Sequence, residues 1–158
     1  MAGDGERASF THGQDVLKTL NRDLANEMNS MLMYMADSLL MRGTDSLDVR
    51  QVAEKFSLQE FGHARKLAAR IVELDGVPQL MPIQIQDNAS ITMKPLPKHQ
   101  ETEATLKDAL EHELMAVIEY RNQVQQIGFT DPATRLLLEE ILADKEHQAE
   151  EIRKLLGV

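Results

Sequence analysis

The chain has no cysteine and no tryptophan. The first absence excludes disulfides, thiolate metal sites and iron–sulfur clusters. Basic residues are also short, 17 Lys and Arg against 26 Asp and Glu, for a net charge of −9. That balance argues against nucleic acid or an anionic membrane as a general partner. No long apolar run exists. The most apolar stretch, Met28–Met41, is broken by Asn29, Ser30, Asp37 and Ser38 and is too short to span a bilayer. The opening residues show no basic start followed by an apolar core, so no signal peptide is expected and a cytoplasmic location is. Proline is scarce and segregated: four of the five lie between Pro78 and Pro97.

What is there is helical. At 158 residues, 42% apolar and 27% charged, one soluble domain is expected, with nine Met as flexible core filler. Met1–Gly13 is polar and expected as a flexible tail, leaving residues 14–158 for the folded domain. A first helix is expected from an Asp15 N-cap to about Arg42, ended by Gly43. Gly43–Asp45 is a tight link, so a second helix from Ser46 to the Gly76 region must run back antiparallel. Val77 to about Glu101 carries the four prolines and no helical period. Such a loop has the reach to cross the roughly 42 Å length of a 28-residue helix. A third helix over Thr102–Ile127 and a fourth from Pro132, capped by Asp131, to Leu156 complete the pattern. The expected fold is all-α: an antiparallel four-helix bundle with one long crossover between its second and third helices.

Four stretches within those helices repeat one another. Glu60-Phe61-Gly62-His63 and Asp144-Lys145-Glu146-His147 both read acid-x-x-His. Residues three apart share a helix face, so each pair points one way. Leu24-x-x-Glu27 and Leu110-x-x-Glu113 match likewise, each followed by a tyrosine seven residues on, Tyr34 and Tyr120. All four acids fall near mid-helix. Four carboxylates and two imidazoles meeting at one level need partners, because an unpaired buried charge is costly. Two divalent cations would balance the four carboxylates, and mixed carboxylate–imidazole ligation suits iron, manganese or zinc. Glu27, Glu60, His63, Glu113, Asp144 and His147 are therefore the expected metal ligands and catalytic residues. Tyr34 and Tyr120 lie either beside the metals or simply pack against a carboxylate; Glu140, four residues before Asp144, has the spacing of a supporting acid or substitute ligand but is more simply read as a solvated surface acid.

Asn26-Glu27 with Tyr34, Glu60-x-x-His63-Ala64, Leu110-x-x-Glu113-Leu114 and Ile141-Leu142-x-Asp144-x-x-His147 resemble bacterioferritin, within the ferritin-like superfamily, over roughly Asp15 to Ile152. The resemblance implies terminal ligation by Glu27 and Glu113, bridging by Glu60 and Asp144, and one histidine per metal. It implies a ferroxidase: Fe(II) oxidised by O₂ or H₂O₂ for storage or detoxification. Other readings are a di-iron or di-manganese enzyme that reduces peroxide without storage, and a DNA-protecting mini-ferritin-like assembly. The chain departs from the family in three places. Asp144 stands where Glu is usual, which implies incomplete bridging and unequal metal sites. Phe61 replaces the haem-ligating Met, so no haem is expected. Only 11 residues follow His147, too few for the fifth helix of a 24-subunit shell. A homo-oligomer, dimer or small shell, is expected instead, using outer-face leucines such as Leu39, Leu40 and Leu138.

Overall fold

A computed structural model describes residues 4–158, with side chains described from Gly13 onward. The described residues form five helices: α1 (Asp4–Leu40), α2 (Ser46–Glu73), α3 (Pro82–Asn88), α4 (Thr102–Ile127) and α5 (Pro132–Leu156). Two short strands, β1 (Met41–Arg42) and β2 (Gln100–Glu101), pair in parallel, Met41 opposite Gln100 and Arg42 opposite Glu101. That pairing takes Met41 and Arg42 out of the helix that was expected to include them. α1 also begins earlier than its expected Asp15 cap, since no proline lies upstream to stop it. The tail expected over Met1–Gly13 is thus helical from Asp4, and residues 1–3 lie outside the described part.

The chain divides into two compact units, Met1–Ser30 with Glu60–Met93, and Met31–Gln59 with Lys94–Val158. α1 and α2 each contribute to both. In the first unit Leu20, Leu24, Leu67 and Ile71 are wholly buried, two on each helix at a spacing of four. Gly76 ends the second helix region with its N–H donated to the Ile71 carbonyl at 2.8 Å. A Cβ at this position would stand 2.6 Å from a Leu17 methyl and 2.9 Å from an Ile71 methyl. Gly76→Ala is therefore an overpacking change, expected to cost about 1–3 kcal/mol. A urea midpoint unmoved by the substitution would contradict that close packing.

The segment after Gly76 is not structureless, as its sequence suggested. Pro82 opens α3, and the Gln84 side chain accepts the Met81 N–H at 3.2 Å. α3 buries no side chain, so no apolar period announces it. Three asparagines of α1 hold the segment. Asn21 Oδ1 accepts from the Gln79 N–H at 2.9 Å. Asn26 Oδ1 accepts from Ser90 N at 3.0 Å and Ile91 N at 3.2 Å, while its Nδ2 donates to Ser90 Oγ at 2.8 Å. Asn29 Nδ2 donates to the Ile91 carbonyl at 3.1 Å. Side chains thus satisfy loop backbone groups that have no ladder of their own.

The second unit has an apolar core of Tyr34, Met41, Val49, Ala53, Phe56, Leu106, Ala109 and Ile152. Tyr34 and Phe56 meet edge to face, ring centroids 5.3 Å apart. α5 starts as its sequence promises: Asp131 accepts from Thr134 N at 3.1 Å, and Pro132 takes the first turn. Gly157 ends it in the left-handed region at φ 73°. Between these ends Leu138, Ile141, Lys145, Gln148 and Ile152 form the buried stripe, in alternating steps of three and four. Leu138, expected on the outer face, is wholly buried within that stripe, and Leu40 is half-buried; Leu39 is exposed.

Candidate metal centre

In the first unit, mid-α1 presents Glu27 and mid-α2 presents Glu60 and His63, all but sealed from solvent at 1%, 0% and 2% exposure. The three offer ligand atoms within 4.8 Å of one another. His63 Nδ1 lies 3.2 Å from Glu27 Oε2 and 3.5 Å from Glu60 Oε2. Burial alone would push the imidazole down. The two carboxylates outweigh it and push the pKa from 6.5 up to about 10. At neutral pH the metal-free chain therefore carries an imidazolium here, donating to Glu27. Its contribution to stability is complete below the unfolded value of 6.5 and is lost as pH rises through about 10.

The donor set fits a divalent first-row metal. Two carboxylate oxygens and one imidazole nitrogen supply hard and borderline ligands, and two negative charges balance one 2+ ion. To bind it, His63 gives up the proton that holds the two carboxylates together. The half of the expected site that lies on α1 and α2 is thus gathered at one place.

The half on α4 and α5 is arranged differently. Glu113 is wholly buried, as its position on α4 implied. Its Oε1 accepts the Tyr34 hydroxyl at 2.5 Å, so this tyrosine packs against a carboxylate. Its Oε2 faces Lys145 Nζ at 3.8 Å. Asp144 is only half-buried, and His147 and Glu140 are exposed. Among the described residues, Glu113, Asp144 and His147 do not gather into a ligand group. The expectation that Asp144 and His147 face inward is corrected by the α5 stripe. The inward pair is Lys145-x-x-Gln148, one residue further on, and each residue turns about 100° around a helix. Lys145 and Gln148 are the residues sequence reasoning missed. The regular spacing of Leu138, Ile141 and Ile152 carried the signal. Tyr120 is buried on α4, and Phe61 is 44% exposed beside Glu60.

The sequence profile of the ferritin-like domain matches residues 17–158. The chain belongs to the ferritin-like family. No curated protein matches it. Among solved structures, this ferritin-like chain is similar to a dodecameric thioferritin, the bacterioferritin-related protein of Bacteroides fragilis. The TM-score is 0.87 and the identity 25%, over 92% of this chain and 86% of that one. Ferritin-like, diiron-carboxylate proteins from Bacillus anthracis superpose with a TM-score of 0.77 at 24% identity, covering 91% and 96%. Dps from Thermosynechococcus elongatus shares the fold at a TM-score of 0.88 and 21% identity, covering 94% of each chain. The expected all-α, ferritin-like four-helix bundle is therefore the fold of this chain. No helix of its described residues is long and apolar enough to cross a membrane.

Proposed function

We propose that this ferritin-like chain binds Fe(II) as a substrate at Glu27, Glu60 and His63 and oxidises it with O₂ or H₂O₂, for iron detoxification or storage. The observation that carries the reading is the buried pair of carboxylates meeting one imidazole. A fixed 2− charge in a site with little water favours the ion of higher charge. Coulomb attraction grows with the cation's charge, and little solvent screens it. Oxidation of bound Fe(II) to Fe(III) is thereby made easier. With H₂O₂ the balance is two Fe(II) oxidised, two protons taken up and two water molecules formed. Burial also keeps the reacting ion from uncontrolled solvent chemistry.

Assembly into a homo-oligomer is part of the same proposal. The Bacteroides fragilis protein is a dodecamer. Leu32, Met35 and Leu39 leave an apolar strip exposed on the outer face of α1, which a second copy would cover. The net charge of −9 favours an iron-handling role over DNA binding. The test is anaerobic Fe(II) loading followed by O₂ or H₂O₂, with Fe(III) formation followed by stopped-flow absorbance. Oxidation much faster than in protein-free buffer is expected. A rate equal to the buffer rate refutes the proposal.

A further inference from the structure

Glu113 and Lys145 are buried ionisable side chains of the second unit that the proposed chemistry does not use. Glu113 has no exposed surface and Lys145 is 1% exposed. Their charged atoms stand 3.8 Å apart, an ion pair longer than a hydrogen bond. The other Glu113 oxygen accepts from Tyr34. Gln148, one turn along α5, is buried too, and its amide Nε2 donates to Gln59 Oε1 at 3.3 Å.

We infer that Lys145 supplies from within the chain the cation that Glu113 would otherwise take from solution, so that one metal position remains where the sequence motifs suggest two. The inference rests on the metal-binding reading of Glu27, Glu60 and His63. Positions 145 and 148 have the inward spacing that acid-x-x-His would need. They carry an ammonium, which has no lone pair to offer a metal, and, where an imidazole would be needed, an amide whose nitrogen donates to Gln59. A divalent ion placed at Glu113 would meet a buried like charge at short range, with little water to screen it. The acid and imidazole one residue earlier, Asp144 and His147, are turned off the buried stripe. This disagreement between motif and register makes the α4–α5 half unfit for a second ion.

Calorimetric titration with Co(II), combined with native mass spectrometry, tests the inference. Wild type should bind one Co(II) per chain, lost in His63→Ala and kept in Glu113→Gln. The double variant Lys145→Glu/Gln148→His places acid-x-x-His in the inward register and should bind two. Two Co(II) in the wild type overturn the inference. So does one Co(II) that survives His63→Ala and is lost in Glu113→Gln, and so does a folded double variant that gains none. A wild type that binds none, with a double variant that binds one, refutes the Glu27 cluster and upholds the role of Lys145; none in either refutes both. Should the double variant fail to fold, Lys145→Met decides. It should lower the melting temperature of metal-free protein, and adding Glu113→Gln should restore much of the loss. A Lys145→Met chain as stable as wild type overturns the inference.

Discussion

His63→Ala should abolish Fe(II) binding at the α1–α2 cluster and lower the rate of Fe(II) oxidation by more than about 100-fold. Removing a group that merely supports a metal ligand typically costs 10–100-fold, and here a ligand itself is lost. The imidazole is the one nitrogen donor of the three and sits 3.2 Å from Glu27 and 3.5 Å from Glu60. Without it the two carboxylates face each other with neither a metal nor an imidazolium between them. The variant should therefore also melt at a lower temperature than wild type when metal-free. His63→Gln keeps most of the volume and separates the roles: it should fold better than His63→Ala and bind iron no better. Anaerobic Fe(II) titration and the initial oxidation rate decide the matter. Unchanged affinity in either variant would show that iron binds elsewhere.

The largest gain in stability is expected from Asp37→Asn. Asp37 is 6% exposed. Burial pushes its carboxyl from 3.8 up to about 6; a hydrogen bond from Gln100 works against that, and Asp108 adds to it. A raised carboxyl pKa means that the folded state resists ionisation. Stability is then fullest below 3.8 and declines as pH rises through about 6. At about 1.4 kcal/mol per pH unit the burden at neutral pH is roughly 2–3 kcal/mol. Asparagine keeps the acceptor for Gln100 and removes the charge. Asp37→Asn should thus raise the urea midpoint at pH 7 and match wild type near pH 4. A gain of the same size at both pH values would mean that packing, not charge, is responsible.

Most of the fold was legible because helix ends are written in local chemistry. Gly43 and Asp45-Ser46, Pro132 after Asp131, and Gly157 each mark a boundary that the backbone keeps. α3 was not, because seven residues with nothing buried leave no period to read. The site divided along the same line. Glu27, Glu60 and His63 share their faces with buried Leu24, Phe56 and Leu67, so motif and apolar stripe point the same way. On α5 they do not. A spacing of three fixes the angle between Asp144 and His147 but says nothing of which side of the helix faces the core. Leu138, Ile141 and Ile152 settle that side, and Lys145 and Gln148 lie on it. A buried lysine reads from sequence as a surface residue until its register is traced.

The asparagine contacts between α1 and the segment after α2 bear on how the Glu27–Glu60–His63 cluster is held in time. The amides of Ser90 and Ile91 belong to no helix or strand, yet both donate to Asn26 Oδ1. Loop amides of this kind ordinarily exchange with deuterium quickly. Here exchange requires that Asn26 let go, and Asn26 is the residue before Glu27. Release of these two protons therefore reports on the loosening of α1 at the proposed iron ligand itself, on the seconds-to-hours scale of local opening. The crossover acts as a clasp whose opening can be timed from two loop amides.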